Sequence, residues 1–84
     1  MDKKRKIIFI CTGNACRSQI AEGLLRNLAS DKFSVFSAGS HPHQVHPMSV
    51  AVMEEVGIDI SHHTSDPITD YIDHGIDIVI TVCD

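Results

Sequence analysis

Two runs of apolar, mostly β-branched residues constrain the fold of this chain more than any other feature. They occupy residues 6–11 and 76–82. Continuous hydrophobicity over such a short length is typical of strands that are buried on both faces of a parallel sheet. Parallel strands need crossover connections, so the residues between the two runs should form helices. Neither run is long enough to span a bilayer, which argues against a membrane anchor.

The residues between the two runs alternate between helical and extended patterns. From Ser18 to about Ser30 the apolar positions follow a helical period, which predicts an amphipathic helix. That apolar stripe consists of Ile20, Ala21, Leu24, Leu25 and Leu28. The further predicted elements are a strand at 33–36, a helix at 50–56 closed by Gly57, and a short helix at 67–74. This order predicts an α/β fold of three layers, a parallel sheet with helices on both faces.

Length and charge limit the organisation of the chain and its partners. With 84 residues, the chain is expected to form a single domain over residues 1–84. Lys and Arg number 7 against 11 Asp and Glu, and the net charge of -4 argues against nucleic acid as the main partner. The sequence contains no signal-peptide pattern, so a cytoplasmic location is expected.

The chain stops soon after its last predicted strand. A strand that looks fully buried should be covered by later elements, so we expect an incomplete domain that lacks a C-terminal strand and helix. The third strand would then expose backbone donors and apolar side chains at a sheet edge. Self-association through this strand is the expected result.

The segment after the first strand has the pattern of an anion-binding loop. It reads Cys11-Thr-Gly-Asn-Ala-Cys-Arg-Ser and leads directly into the first helix. The carboxyl ends of parallel strands and the N-termini of helices both favour bound anions. We therefore predict a loop whose backbone amides surround one tetrahedral oxyanion. Its residues are Thr12, Gly13, Asn14, Ala15, Cys16 and Arg17.

Three side chains of this segment are candidates for chemistry. Arg17 could bind two oxyanion oxygens at once. Cys11 is the candidate nucleophile, because the helix end and Arg17 would stabilise its thiolate. Ser18 could donate a hydrogen bond to the sulfur. The alternative for Cys11 is a buried packing residue, and packing is also our interpretation of the Cys16 side chain.

The motif Cys11-Thr-Gly-Asn-x-Cys-Arg-Ser resembles the phosphate-binding loop of the low-molecular-weight protein tyrosine phosphatases. Within that family it is most similar to the thioredoxin-coupled arsenate reductases. Further segments share the resemblance, and they lie at residues 21–23, 37–39, 56–60 and 81–83. The resemblance implies a three-layer α/β fold, with Cys11 as nucleophile and Arg17 as oxyanion ligand.

Two residues favour the reductase branch of this family. Gln19 follows the Arg-Ser pair, where the phosphatases usually carry proline. Cys83 follows the third strand as Cys11 follows the first, and neighbouring strands would bring both sulfurs to one edge. The resemblance then implies that Cys11 attacks arsenate, that Cys83 resolves the adduct, and that thioredoxin reduces the disulfide. A phosphatase that hydrolyses phosphate monoesters remains an alternative, as does a non-catalytic fragment that binds arsenate, phosphate or sulfate.

The sequence also departs from the family pattern. The Asp-Pro loop of the family supplies a general acid, but Asp66-Pro67 precedes the predicted third helix and is interpreted as a helix start with Asp66 as N-cap. The third cysteine of the reductases is absent as well. Five residues match positions around a potassium ion in some arsenate reductases, although helix capping and solvation could also explain them. They are Asn14, Glu22, Ser37, Thr64 and Asp66. The six histidines match no zinc motif, so no other cofactor is expected.

Overall fold

A computed structural model of the chain describes residues 4–82, which form three strands, two α-helices and one 3-10 helix. The elements in chain order are β1 (Arg5–Cys11), α1 (Arg17–Ala29), β2 (Phe33–Gly39), α2 (Pro47–Glu55), the 3-10 helix (Ile68–Tyr71) and β3 (Ile78–Thr81). The predicted α/β class is confirmed. Among these residues no helix is long and apolar enough to cross a membrane.

The strands form one parallel sheet in the order β2-β1-β3. Cys11 at the end of β1 is in register with Gly39 of β2, and Ile10 is in register with Thr81 of β3. The carboxyl ends of all three strands therefore meet at one edge of the sheet. The segment that connects Cys11 to α1 starts at this edge.

Helical elements cover both faces of the sheet, as predicted. On one face the side chains of Ile7, Phe9 and Val35 are buried beneath Ala21 and Leu25 of α1. Phe36 follows Val35 in β2, so its side chain lies on the opposite face. There its ring centre is 5.4 Å from that of Tyr71, at the end of the 3-10 helix.

The burial of α1 differs from the predicted apolar stripe. Leu24 is 40% exposed and Leu28 is 76% exposed among the described residues. The buried positions of the helix are Ser18, Gln19, Glu22 and Gly23. This side is buried because it faces the loop before the helix and the segment near Ile60. A methyl group of Ile60 lies so close to Gly23 that a Cβ there would have no room. The stripe prediction was wrong for the two leucines.

The start of α2 and the extent of the third helical element also differ from the sequence prediction. The helix α2 begins at Pro47 rather than near Val50, because the His46 ring accepts a hydrogen bond from the Met48 amide and caps the helix. The predicted third helix is a single 3-10 turn. Its N-cap is the extended residue Pro67, which has no side-chain cap, so the assignment of Asp66 as N-cap was wrong. The left-handed conformation expected at Gly57 is present, with φ of 79°.

The third strand is shorter and less buried than its sequence suggests. It spans Ile78–Thr81, and Val79 and Ile80 are 59% and 38% exposed among the described residues. Among the described residues, its register partners all lie in β1, which places β3 at an edge of the described sheet.

Candidate active site

The loop formed by residues 11–17, here called the anion loop, encloses a cavity at the carboxyl edge of the sheet. The cavity has a volume of about 270 Å³. Its lining residues are Cys11, Thr12, Gly13, Ala15, Cys16, Arg17 and Val82. All but one of them belong to the anion loop, so the loop predicted from sequence forms a concave site.

The carbonyl groups of the anion loop are bound on its outer side. The segment after β2 runs alongside the loop and donates backbone N–H groups to it. The resulting N···O distances are 3.3 Å from Ser40 to Cys11, 2.8 Å from His41 to Thr12, 2.9 Å from His43 to Gly13 and 2.8 Å from His46 to Ala15. The three histidines of this segment thus bind the anion loop through their backbone amides.

This pairing determines where the amides of the anion loop point. The described chain contains no cis peptide bond, and in a trans peptide the C=O and N–H groups point in opposite directions. Because the carbonyls of Thr12, Gly13 and Ala15 face outward, the N–H groups that follow them face the inner side. The Asn14 amide fits this geometry, since it donates to Cys11 Sγ at 3.1 Å. The loop thus has the inward amides that an oxyanion requires.

Cys11 Sγ receives a second contact from a buried hydroxyl. Ser18 Oγ lies 2.9 Å from the sulfur, and the Ser18 side chain is 0% exposed. The same oxygen accepts a hydrogen bond from Asn14 Nδ2 at 2.7 Å. Because that bond uses a lone pair of the hydroxyl, its single hydrogen is available to the sulfur. Two hydrogen-bond donors are thus directed at one sulfur.

Asn14 connects the anion loop to the rest of the fold. It is 0% exposed and adopts the left-handed conformation, with φ of 48°, which asparagine tolerates better than most residues. Its Nδ2 also donates to Ser37 Oγ at 2.9 Å, and its Oδ1 accepts from the Asp66 amide at 2.9 Å. One side chain thereby links the loop to β2 and to the segment before the 3-10 helix.

The five candidate potassium ligands lie together around Asn14. Ser37 Oγ donates to the Glu22 carboxylate, and Thr64 Oγ1 donates to the Asp66 carboxylate at 3.1 Å. These are carboxylate, hydroxyl and amide oxygens, which suit a hard cation. Within residues 4–82, however, no group of three or more His, Cys, Asp or Glu side chains could hold a metal ion.

The two cysteines within the described residues differ in environment. Cys11 is partly buried, whereas Cys16 is exposed and lines the cavity. The interpretation of Cys16 as a packing residue was therefore wrong. Cys83 lies outside the described residues. Val82, which precedes it, lines the cavity and donates its N–H to Ile10 at 2.9 Å.

Sequence reasoning missed several buried polar residues around the anion loop. Gln19 and Ser65 both bind the Asn14 carbonyl, at 2.9 and 2.7 Å, and Ser49 Oγ binds the Ala15 carbonyl at 3.1 Å. His63 contacts Gln19, and burial lowers the pKa of His63. Gln19 directly follows the Cys11–Ser18 motif in the sequence. The other residues reach the loop from distant parts of the chain, so no local sequence pattern indicates their contacts with it.

The fold and this loop define a class of protein. Residues 6–84 match the family model for low molecular weight phosphotyrosine protein phosphatase, and the chain belongs to this family.

Several proteins that this chain resembles within the family are arsenate reductases. The chain is 54% identical over 81 residues to arsenate reductase 1 of Staphylococcus epidermidis, covering 96% of this chain and 61% of the relative. It also resembles a solved arsenate reductase in the phosphate binding state, with TM-score 0.88 and 48% identity over 94% of this chain and 60% of the other. A thioredoxin-dependent arsenate reductase of Corynebacterium glutamicum gives TM-score 0.87 and 38% identity, over 99% and 45% of the two chains. The chain thus spans about 61% of the length of the curated relative.

Proposed function

We propose that this chain carries the oxyanion site and the first two reactive thiols of an arsenate reductase. One observation carries the proposal. Cys11 Sγ accepts hydrogen bonds at the cavity formed by the anion loop, and Val82, which immediately precedes Cys83, lines the same cavity. Consecutive α-carbons are about 3.8 Å apart, so the geometry of Val82 supports a second thiol close to the first.

The first step of the proposed reaction is attack on arsenic. The Cys11 thiolate forms a bond to arsenic, and one arsenate oxygen leaves as water after taking up protons. The inward amides of the anion loop and the Arg17 guanidinium bind the remaining oxygens and stabilise their charge. Ser18 keeps its hydrogen bond to the sulfur and holds the nucleophile in position.

The second step transfers two electrons. The Cys83 thiolate attacks Cys11 Sγ, the sulfur–arsenic bond breaks, and its electron pair stays on arsenic. Arsenic(V) becomes arsenic(III) and leaves as arsenite, while two thiols become one disulfide. An external dithiol must then reduce the disulfide. Thioredoxin is the proposed reductant, in agreement with the thioredoxin-dependent relative, and the cytoplasm is the proposed location because thiols stay reduced there.

Phosphate monoester hydrolysis is the second candidate function, because the family includes phosphatases with the same type of loop. That reaction benefits from a general acid that protonates the leaving alcohol, worth roughly 10² to 10⁴ in rate. Asp66 has the Asp-Pro sequence of the family acid, but its carboxylate accepts hydrogen bonds from Thr64 and Tyr71 and does not line the cavity. Asp66 is therefore not placed to act as that acid.

The proposal includes a potassium site at Asn14, Glu22, Ser37, Thr64 and Asp66. A bound potassium ion would supply a fixed positive charge beside the anion loop. Its support is that hydrogen bonds link these five residues through Asn14, which also bonds Ser18 beside the nucleophile. Potassium, compared with sodium at equal ionic strength, should raise the melting temperature.

Peptide mapping after exposure to arsenate tests the proposed function. We expect a disulfide between Cys11 and Cys83 with Cys16 reduced, and no disulfide after exposure to phosphate. Cys11→Ser and Cys83→Ser should each abolish the bridge. Arg17→Lys should slow its formation about tenfold or more, because lysine cannot bind two oxygens bidentately.

Two other results would assign a different function. A bridge between Cys11 and Cys16, or three free thiols in a protein that hydrolyses aryl phosphates, would favour the phosphatase. Calorimetric binding of arsenate, phosphate or sulfate without any redox change would favour a non-catalytic binding fragment.

A further inference from the structure

We propose that Gln19 is a positioning residue that aims the Ala15 amide into the oxyanion cavity. The inference rests on the proposed function only in requiring that the anion loop binds a tetrahedral oxyanion. It assigns to a buried side chain outside the loop a part in setting the affinity of that site.

The outer pairing of the anion loop is interrupted at Asn14. Backbone amides of the segment after β2 bind the carbonyls of Gly13 and Ala15, but the Asn14 carbonyl is bound by side chains. Gln19 Nε2 donates to it at 2.9 Å and Ser65 Oγ donates to it at 2.7 Å. Among the described residues, Asn14 is also the single non-glycine residue with a positive φ. At Asn14, side-chain donors therefore take the place of the backbone N–H donors that bind the neighbouring carbonyls.

The orientation of the Gln19 amide is determined by its other partners. Its Nε2 also donates to the Thr64 carbonyl at 3.0 Å, so both of its hydrogens are used. Gln19 Oε1 is then an acceptor, and it lies 2.9 Å from His63 Nδ1. His63 Nδ1 must carry the hydrogen of this pair. Gln19 is 0% exposed, so a flipped amide would place oxygen against two carbonyls without access to water.

His63 is itself held in one tautomer. Its Nε2 lies 3.4 Å from Arg26 Nη1, and a guanidinium can only donate, so Nε2 is the acceptor. The Glu22 carboxylate is 3.9 Å from the protonated Nδ1. Arg26 in turn pairs with Glu22 and donates to the Val35 carbonyl. The hydrogen bonds therefore run in one direction, from Arg26 through His63 and Gln19 to the Asn14 carbonyl.

The consequence for the cavity follows from the peptide that joins Asn14 and Ala15. With the Asn14 carbonyl held outward, the Ala15 N–H of the same trans peptide points inward. Ala15 lines the cavity, so this amide can reach an oxyanion oxygen. Without the Gln19 donor the peptide is less restrained, and the amide is no longer held in place before the anion arrives.

A phosphate titration followed by amide NMR tests this inference without requiring turnover. In the wild-type protein the amide protons of Gly13, Ala15 and Cys16 should shift downfield as phosphate binds. Gln19→Met keeps the side-chain length but cannot donate. It should weaken phosphate binding at least about tenfold, the effect of one hydrogen bond to a charged group, and should reduce the Ala15 shift more than the Gly13 shift. Gln19→Glu should behave similarly, because a carboxylate also cannot donate to two carbonyls.

Met53→Ala provides a matched control for loss of stability. Met53 is 1% exposed and packs near Gly23 of α1, and it does not line the cavity. The Met53→Ala variant should have a lower melting temperature, with the phosphate affinity and the Ala15 amide shift unchanged. If the Gln19 variants do not fold, Ser65→Ala removes the other donor to the same carbonyl and should produce a smaller change of the same kind.

Two failures can be told apart. Phosphate affinity within twofold of wild type and an unchanged Ala15 shift in Gln19→Met would overturn the positioning role alone. If Gln19→Met does not fold, the same result in Ser65→Ala overturns it. A wild-type protein whose loop amides do not respond to phosphate would overturn both this inference and the proposed function.

Discussion

At the scale of single residues, the site depends on polar side chains that are buried and fully bonded. Asn14, Ser18 and Gln19 are each 0% exposed. Within residues 4–82, every buried side-chain nitrogen and oxygen atom has a hydrogen-bond partner. A buried polar group that loses its partner costs about 1–3 kcal/mol, so the members of this network support one another. Their burial also holds the loop in place before any anion binds.

Tyr71, the single tyrosine of the chain, gives a prediction at this scale. Burial, followed by the nearby Asp66 carboxylate, raises the pKa of Tyr71 to about 12. Its neutral form is favoured in the folded state, so its contribution to stability is complete below pH 10 and is lost as the pH rises toward 12. Absorbance at 295 nm should show a titration midpoint near 12 in the folded protein, and near 10 in denaturant. A midpoint near 10 with native circular dichroism would contradict the structure.

At the scale of elements, the end of β2 and the anion loop fit against each other at backbone distance. A Cβ at Gly39 would lie 2.6 Å from the Thr12 carbonyl oxygen and 2.9 Å from the Asn14 nitrogen. Both neighbours are backbone atoms, which cannot rotate away. The glycine therefore permits the pairing of β2 with β1 to continue as far as the loop, which brings Ser37 to Asn14.

We predict that Gly39→Ala damages both stability and the site. The added methyl group should lower the free energy of unfolding by about 1–3 kcal/mol, as overpacking does, and should weaken phosphate binding because Thr12 and Asn14 must shift. Chemical denaturation and calorimetric titration measure the two effects.

Gly57→Ala is the control for this prediction. A Cβ at Gly57 meets nothing within 4 Å, but the residue has φ of 79°. The substitution should cost roughly 1–2 kcal/mol through backbone strain alone and should leave phosphate affinity unchanged. Equal phosphate affinities for Gly39→Ala and the wild type would show that the close approach does not shape the loop.

At the scale of the whole molecule, the two outer strands of the described sheet differ in exposure. The central strand β1 carries the anion loop and is paired on both sides, while β2 is mostly buried at one edge and β3 is mostly exposed at the other. Val79 and Ile80 of β3 are 59% and 38% exposed. Exposed apolar side chains on an edge strand favour pairing with another chain. The self-association expected from sequence thus remains a prediction, now supported by this edge.

Sedimentation of Val79→Lys tests whether β3 mediates this association. The wild-type protein should show a concentration-dependent increase in mass, and a charge on the edge strand should reduce it. Leu28→Lys is the control, because Leu28 is 76% exposed on α1, away from the sheet edge. A wild-type protein that stays monomeric over a wide concentration range, or equal reduction by both variants, would contradict the prediction.

Features that depend on neighbouring residues could be predicted from the amino-acid sequence alone. Continuous apolar runs identified β1 and β3, and the residues from Cys11 to Ser18 identified the loop between strand and helix. The left-handed conformation of Asn14 was predictable because backbone sterics and side-chain size act locally. Cys11 and Ser18 lie at the two ends of the same short motif, on either side of Asn14. A contact between them was therefore also predictable.

The burial of polar residues and the contacts that hold the loop open could be seen only in the folded chain. The Asn14 carbonyl is bound by Ser65, and Gln19 is bound by His63, across 51 and 44 positions of sequence. The same packing buries the polar side of α1 and leaves Leu24 and Leu28 exposed, against their hydropathy. A residue's hydropathy describes its average preference for burial. A buried polar side chain is stable only when specific partners satisfy it, and those partners are identified once the chain has folded.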